Sequence, residues 1–192
     1  MDQAHTLEDE QVVNDVSLEF ATMIRDEVKS QPEFAEGRWR VRSEWVGQTT
    51  SEARVTDSHI GGDNVKRDFS IKMDQPHELC GGNQFASPQE HLLAALAGCF
   101  ISNFAVVSAL RNITLHKLGV EISGDTDMSG LFDLSNGEDA GFSNVQFVVS
   151  VSANAPIEDI KSVYDHVCQI SPNLGGMGNA NLVSTELDIL PE

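Results

Sequence analysis

The chain has few basic residues and few cysteines. Its 192 residues include 12 Lys and Arg against 30 Asp and Glu, which gives a formal net charge of −18. That charge opposes binding to phosphate backbones and to anionic membranes, so we expect no nucleic acid or membrane partner. Three cysteines, Cys80, Cys99 and Cys168, are too few and too scattered for a disulfide-stabilised secreted fold or a zinc site with paired ligands. Each thiol is therefore either inert or chemically active.

Long apolar runs are scarce as well. No run approaches the roughly 20 consecutive apolar residues that a membrane span requires. The acidic N-terminus lacks the basic start and apolar centre of a secretory signal. We therefore expect a cytoplasmic protein, and the length favours one domain with an N-terminal appendage.

Residues 1–36 form that appendage, with ten acidic residues against Arg25 and Lys29. Apolar residues recur at three- and four-residue steps between Leu7 and Val28, which predicts an amphipathic helix. Gln31-Pro32 ends it. The predicted organisation is a helical extension over residues 1–36 and a folded domain over residues 37–192.

The folded domain begins with alternating patterns. Apolar and polar residues alternate over residues 38–45, 51–57 and 65–73, which predicts a three-stranded antiparallel meander with a turn at residues 61–64. Residues 74–86 carry Pro, Gly and Asn and predict a loop.

Later segments add helices and further strands. Strands are predicted over residues 120–127, 145–153 and 182–190, a second helix over 157–170, an irregular stretch over 128–144 and a flexible turn over 175–179. The fold class is therefore α+β.

The central element is a helix that follows this loop. Ser87 is the predicted N-cap, Pro88 the first helical residue, and Glu90 the acid that closes a capping box. From Leu92 to Leu110 the sequence has scarcely a polar stripe, so we expect burial on most sides.

Cys99 lies deep in this helix, and Cys168 lies on the apolar face of the second helix. A thiolate is needed for nucleophilic chemistry. The dipole of its own helix cannot supply one at Cys99, which lies about 18 Å from Ser87 at 1.5 Å per residue. A cationic or donor group must approach from elsewhere, from Arg38, Arg40 and Arg42 or from His91, His116 and His166. The residues alone leave an inert core thiol open as the alternative.

Residues 87–99 resemble the signature of the OsmC/Ohr family of thiol-dependent hydroperoxide reductases, Asn-Pro-Glu-x-Leu-hydrophobic-Ala-Ala-x-x-x-x-Cys. Residues 166–171 are similar to the Cys-Pro-x-Ser segment of that family, and residues 75–82 to its Pro-x-x-Leu-Gly-Gly loop. Residues 45–47 and 51–53 fit an early strand pair. The resemblance covers about residues 38–190.

The resemblance implies an OsmC-like α+β fold, with antiparallel β-units around two central helices in an intertwined homodimer. It implies that Cys99 is the peroxidatic thiol and Cys168 the resolving one, with an organic hydroperoxide as substrate. A dithiol protein, possibly one carrying a lipoyl group, would be the reductant, and no bound cofactor or metal is implied.

Two positions depart from the family pattern. Family members pair the thiolate with an arginine and a glutamate, and Gln89 stands where that glutamate is expected. Arg54 is the candidate arginine, with a surface strand cation as the alternative. Cys80 replaces a residue that is usually glycine, and we treat it as incidental.

Two competing functions stay open. One is a non-catalytic family member that binds a small hydrophobic ligand in the dimer cleft. The other is an interaction module in which the acidic N-terminal helix recruits a partner.

Overall fold

The computed structural model describes residues 11–134 and 141–177. The chain divides into two compact units, Met1–Ala94 and Ala95–Glu192, and each is described by itself below. The predicted strand over residues 182–190 lies outside the described residues.

The N-terminal unit starts with a two-stranded hairpin and a helix. β1 (Val12–Val13) pairs with β2 (Val16–Ser17), and α1 follows over Leu18–Ser30. The prediction of one helix from Leu7 to Val28 is wrong over its described first part, because Asn14 and Asp15 adopt positive φ and turn the chain. Ser17 caps α1 by accepting a hydrogen bond from the Phe20 N–H at 3.1 Å. A helical N-terminal element is thus confirmed, whereas its boundary as a separate domain at residue 36 stays a prediction.

A meander of antiparallel strands follows, as predicted. Its strands are β3 (Gly37–Trp39), β4 (Arg42–Gly47), β5 (Thr50–Ile60) and β6 (Asp63–Met73). β3 and β4 both pair with one edge of β5, and β6 pairs with the other. The strand predicted over residues 38–45 is therefore divided into β3 and β4. In the tight turn before β6, Gly61 and Gly62 adopt positive φ values.

The pairing register gives this sheet two chemically different faces. Residues paired across a sheet share a face, so Trp45, Phe69 and Ile71 lie on one side with the buried Ala53. The opposite side carries the charged residues, namely Arg42, Glu44, Glu52, Arg54 and Lys72. Trp45 is 77% exposed and Phe69 56% exposed, so the apolar side is largely uncovered in the single chain.

The predicted loop over residues 74–86 is organised by Asp74, which is fully buried. Its carboxylate accepts hydrogen bonds from the Thr49 hydroxyl at 2.7 Å and from the backbone N–H groups of Gln75 and Gln84. A Cβ at Gly81 would collide with the Gln75 carbonyl oxygen, so this close backbone approach requires glycine.

The capped helix α2 spans Pro88–Leu110. The predicted capping box is confirmed, because the Ser87 N–H donates to the Glu90 carboxylate at 2.6 Å and the Glu90 N–H donates to the Ser87 hydroxyl at 3.2 Å. The prediction that α2 is buried on most sides is wrong for the single chain. Leu96, Phe100 and Phe104 are buried, but four apolar residues are 36–47% exposed: Leu92, Ile101, Val106 and Leu110.

α2 also has the length and composition of a membrane span, with a mean hydropathy of 2.0. The expectation that no segment reaches that composition is therefore wrong. A core helix meets the same criterion, and Phe100, Phe104 and Val107 of α2 do pack in the core of the C-terminal unit.

The C-terminal unit builds that core from a strand pair and α3. β7 (Leu115–Thr126) pairs antiparallel with β8 (Phe142–Ala153), and α3 spans Ile157–Ile170, as predicted. Both strands begin earlier than predicted. Residues 175–177, predicted as part of a flexible turn, belong to α4 (Pro172–Met177); residues 178–179 of that turn lie outside the described residues. Val163 and Val167 of α3 are fully buried against Phe100 and Phe104.

Candidate thiol site

Cys99 is half-buried in α2 within the C-terminal unit. Its sulfur lies 3.5 Å from the Ser171 hydroxyl oxygen, close enough for a hydrogen bond in which either group donates. The Asn103 side-chain amide, one helical turn further on, donates to the same sulfur at 3.7 Å. Two neutral groups therefore hydrogen bond to the Cys99 sulfur, whereas we expected an arginine or a histidine beside it.

Ser171 reaches Cys99 because the core fixes the end of α3. Val167 is buried, and the Ser171 N–H donates to the Val167 carbonyl at 3.0 Å. Two residues beyond Ser171, the Asn173 amide donates to the Ala95 carbonyl of α2 at 3.0 Å. Contacts on both sides of Ser171 therefore hold its buried hydroxyl beside the sulfur.

Cys168 lies on α3 three residues before Ser171, and it is exposed in the single chain. The prediction of a position on the buried apolar face is therefore wrong for this residue. Tyr164 lies one turn earlier on the same helix. Interaction with the Cys168 side chain, together with partial burial and the nearby Asp165 carboxylate, raises the pKa of the Tyr164 phenol above its usual value. All three cysteines, Cys80, Cys99 and Cys168, are free thiols.

Gln89 lies in the first turn of α2, in the N-terminal unit. Its side-chain carbonyl accepts a hydrogen bond from the Gln75 amide at 3.2 Å. The Gln75 side-chain carbonyl is buried without a hydrogen-bond partner. Glu90, by contrast, belongs to the cap, where the backbone and side-chain hydrogen bonds from Ser87 lower its pKa.

Arg54 lies on the charged face of the sheet in the N-terminal unit. Its guanidinium pairs with Glu52 at 2.9 Å, and its side chain is 65% exposed. That environment is the one we gave as the alternative, a surface strand cation. The assignment of Arg54 to thiol activation stays a prediction.

Cys80 sits in the loop before α2 with φ of 62°, in the left-handed region. This conformation favours glycine, the residue that the resemblance leads us to expect at this position. Its carbonyl accepts a hydrogen bond from the Gln48 amide at 2.7 Å.

A cavity of about 470 Å³ opens in the C-terminal unit beside α3. Its lining is apolar except for Lys161 and the Tyr164 hydroxyl: Phe104, Phe147, Val148, Val149, Val151, Ile157, Ile160, Lys161 and Tyr164. Within the described residues no cluster of three His, Cys, Asp or Glu side chains could hold a metal ion.

The sequence analysis missed three residues of this site: Asn103, Tyr164 and Ser171. Two of them could have been found from the sequence. Asn103 lies four residues after Cys99 and Tyr164 four residues before Cys168 on predicted helices, and residues four apart lie on the same helix face. Ser171 had none beyond its place in a quoted motif, because 72 residues separate it from Cys99.

The chain is thus an α+β protein with a half-buried thiol on a capped central helix and a second thiol on the next helix. Residues 81–185, more than half of the chain, match the family described as OsmC-like protein. The chain belongs to the OsmC-like protein family.

Solved structures with TM-scores above 0.5 share the fold of this chain. An OsmC-like protein from Mycoplasma pneumoniae is 15% identical, with a TM-score of 0.59 over 74% of this chain and 89% of the other. A putative osmotic stress induced and detoxification response protein from Psychrobacter arcticus is 14% identical, with a TM-score of 0.55 over 71% and 85%. The organic hydroperoxide resistance protein OhrB of Bacillus subtilis is 20% identical, with a TM-score of 0.45 over 74% and 91%. No curated protein matches the sequence significantly.

Proposed function

We propose that this protein is a thiol-dependent peroxidase that reduces organic hydroperoxides to alcohols. One observation supports it most: the Cys99 sulfur is within hydrogen-bond distance of Ser171, in the same short segment that carries Cys168. Cys168 and Ser171 lie at the C-terminal end of α3, and the core residues Val163 and Val167 hold this helix in position. Hydrogen-bonding groups beside the Cys99 thiol would support formation of a sulfenic acid, and a thiol three residues before Ser171 would be available to resolve it.

The proposed cycle has three balanced steps. The Cys99 thiolate attacks the distal oxygen of the hydroperoxide, the O–O bond breaks, and the departing alkoxide takes a proton to leave as the alcohol. The Cys168 thiol then condenses with the Cys99 sulfenic acid, forming a disulfide and one water. A dithiol reductant, possibly a lipoyl group on a protein, reduces the disulfide by exchange and is itself oxidised to a disulfide.

The apolar surroundings of α3 support the proposed substrate class. The apolar cavity beside Tyr164 favours a hydrophobic body on the hydroperoxide over hydrogen peroxide. We propose no bound cofactor or metal, because the thiols carry the electrons themselves. A reducing cytoplasm would keep them reduced between turnovers.

We further propose that the active form is a homodimer, because the apolar face of the β3–β6 sheet exposes Trp45 and Phe69 in the single chain. In that assembly Arg54 and Gln89 are the candidate supporting residues for the thiolate. Gln89 can orient a guanidinium through its carbonyl but supplies no charge.

The test is a peroxidase assay with cumene hydroperoxide and dihydrolipoamide. We expect Cys99→Ser to abolish turnover, because no other group forms the sulfenic acid. Cys168→Ser is expected to consume about one equivalent of hydroperoxide and then stop, with a sulfenic acid that dimedone traps at Cys99.

Cys80→Gly is the matched control, since it removes the third thiol and suits the left-handed backbone at this position. Its turnover is expected to equal that of the wild type. Equal turnover in the wild type, Cys99→Ser and Cys168→Ser would contradict the proposal.

The second candidate function is binding of a small hydrophobic ligand without turnover. The apolar cavity beside α3 is the observation that favours it. It predicts no trapped sulfenic acid in any variant, together with saturable binding of a fatty acid that is equal in the wild type and in Cys99→Ser.

A further inference from the structure

The first step of the proposed cycle moves a proton whose route is not yet assigned. The Cys99 thiol must lose a proton before its sulfur is nucleophilic, and the departing alkoxide must gain one. Among residues 11–134 and 141–177, the side chains that hydrogen bond to the Cys99 sulfur are Ser171 at 3.5 Å and Asn103 at 3.7 Å. A proton route through groups already in contact with the sulfur therefore begins at one of these two residues.

The two groups differ in what they can do with a proton. The Asn103 amide nitrogen donates hydrogen bonds and does not accept them, so it can hold the sulfur but cannot take its proton. A hydroxyl donates one hydrogen and offers two lone pairs, so Ser171 can accept a proton on one side while it gives its own away on the other. Either group can donate in the contact between Cys99 and Ser171, and a proton relay requires that reversibility.

The backbone on both sides of Ser171 holds this hydroxyl in place, and the residue is only 3% exposed. Its own N–H donates to the Val167 carbonyl of α3, and the Asn173 amide donates to the Ala95 carbonyl at 3.0 Å. Ala95 lies four residues before Cys99, so the same carbonyl accepts the Cys99 backbone N–H within α2. The bond from Asn173 therefore ties the segment after Ser171 to the helical turn that carries the sulfur.

We propose that Ser171 is a catalytic residue that relays the Cys99 thiol proton to the departing alkoxide. The inference rests on the proposed function and assigns a residue to its first step. As the Cys99 sulfur bonds to the distal oxygen, the thiol proton passes to the Ser171 oxygen, and the O–O bond breaks with its electron pair on the proximal oxygen. The Ser171 hydroxyl proton passes to that proximal oxygen, which leaves as the alcohol. The distal oxygen keeps its own hydrogen, so Cys99 becomes a sulfenic acid and Ser171 is again a neutral hydroxyl.

The relay suits a half-buried thiol whose hydrogen-bonding neighbours are neutral. A free thiolate and a free alkoxide are both anions, and partial burial disfavours each of them. When both protons move in the step that breaks the O–O bond, neither anion has to form in full. The relay therefore contributes most at a pH at which the thiol is still protonated, and least once solvent has already removed the proton.

The experiment measures how fast one equivalent of cumene hydroperoxide is consumed in a Cys168→Ser parent, with acid quench and mass spectrometry to identify the Cys99 sulfenic acid. Ser171→Ala deletes the hydroxyl in this parent. At about pH 6, where thiols are protonated, we expect it to react about a hundredfold more slowly, the lower end of what general acid–base groups contribute. At about pH 10, where thiols are ionised, the two rates should converge. Between these limits the Ser171→Ala rate should fall about tenfold per pH unit, because it depends on free thiolate, whereas the parent rate should level off.

Ser108→Ala is the matched control. The Ser108 hydroxyl is fully buried in the same unit, and within the described part of the chain it has no hydrogen-bond partner. The substitution deletes the same atom from an equally buried site, and both rates should equal those of the parent.

Asn173→Leu tests how the relay is held, since it keeps the Ser171 hydroxyl and removes the bond to the Ala95 carbonyl. We expect a rate at about pH 6 between those of the parent and Ser171→Ala. The combination of Asn173→Leu with Ser171→Ala should be no slower than Ser171→Ala alone, because both changes act through one hydroxyl.

The outcomes distinguish this inference from the proposed function. A parent that forms no sulfenic acid overturns the proposed function and the relay with it. A parent that forms it, while Ser171→Ala reacts at the same rate or more slowly by the same factor at every pH, overturns the relay alone. Should Ser171→Ala not fold, the parent decides by itself, because a parent rate that falls about tenfold per pH unit down to about pH 6 also overturns the relay.

Discussion

The Cys99 sulfur accepts a hydrogen bond from the Asn103 amide and shares one with the Ser171 hydroxyl, and neither group carries a charge. A cation would stabilise a thiolate through its charge, whereas neutral donors act only through alignment and distance. At the residue scale, the reactivity of Cys99 therefore depends on how Asn103 and Ser171 are held. Asn103 is the more direct test, because it lies on the same rigid helix and a substitution there leaves α3 in place.

Asn103→Asp is expected to slow sulfenic acid formation at Cys99 about tenfold or more at pH 7. The change replaces a donor by a carboxylate, and a like charge at this distance opposes formation of the thiolate. The rate is measured in a Cys168→Ser background, by dimedone trapping after one addition of cumene hydroperoxide.

Asn112→Asp is the matched control, since it makes the same chemical change beyond the end of α2 at a position where Asp tolerates the positive φ. Asn103→Leu, which removes the donor without adding charge, should fall between the two. Equal rates in Asn103→Asp and Asn112→Asp would exclude a role for Asn103.

At the scale of elements, a helix or strand could be predicted from the sequence where its capping residues and apolar spacing agree with the fold. The start of α2 was predictable because Ser87, Pro88 and Glu90 together satisfy the free N–H groups of the first turn. The start of α1 was not, because the apolar spacing continues through Asn14 and Asp15, which turn the chain instead. The spacing of apolar residues indicates which residues share a face of a helix. It does not reveal a two-residue turn that interrupts the helix.

The site was less predictable than the elements, for a physical reason. Cys99 and Cys168 could be singled out as thiols on apolar helices, but the groups that hydrogen bond to them depend on packing. Ser171 meets Cys99 only because Val163 and Val167 pack against Phe100 and Phe104. Likewise, Gln75 meets Gln89 only because the loop over residues 74–86 is folded around Asp74.

That loop gives a pH-dependent prediction. The hydrogen bond from Thr49, with those from Gln84 and Gln75, lowers the Asp74 pKa below its usual 3.8. A carboxyl whose pKa is depressed in the folded state stabilises the protein above the unfolded pKa, and that contribution is lost as the pH falls through the folded value. Asp74→Asn should therefore be less stable than the wild type at pH 7, and the difference should shrink as the pH falls below about 4.

Urea unfolding at pH 7, 5 and 3.5 measures this difference. Asp68→Asn, an exposed carboxylate on β6, is the control and should match the wild type across the series. A stability difference between wild type and Asp74→Asn that is the same at pH 7 and pH 3.5 would show that ionisation of Asp74 does not contribute.

At the scale of the whole molecule, the proposed homodimer rests on the aromatic residues that the apolar face of the meander exposes. Trp45 and Phe69 lie on one side of the sheet, and the ion pair of Arg54 with Glu52 lies on the other. A solvated sheet places its polar residues outward, so a sheet with aromatic residues exposed opposite a charged face is typical of one that packs against another surface. A second copy of the chain offers the same apolar face, which suits a symmetric pairing.

Trp45→Glu is therefore expected to convert the protein from a dimer to a monomer, because a carboxylate buried in an apolar interface carries a large desolvation cost. Arg42→Glu is the control on the opposite face, where an additional acid stays solvated, and it should remain dimeric. Sedimentation velocity measures both masses, and peroxidase turnover of the two variants then tells whether the site needs its partner. A wild type that sediments as a single chain would contradict the dimer, while retained turnover in a monomeric Trp45→Glu would place the complete site within one chain.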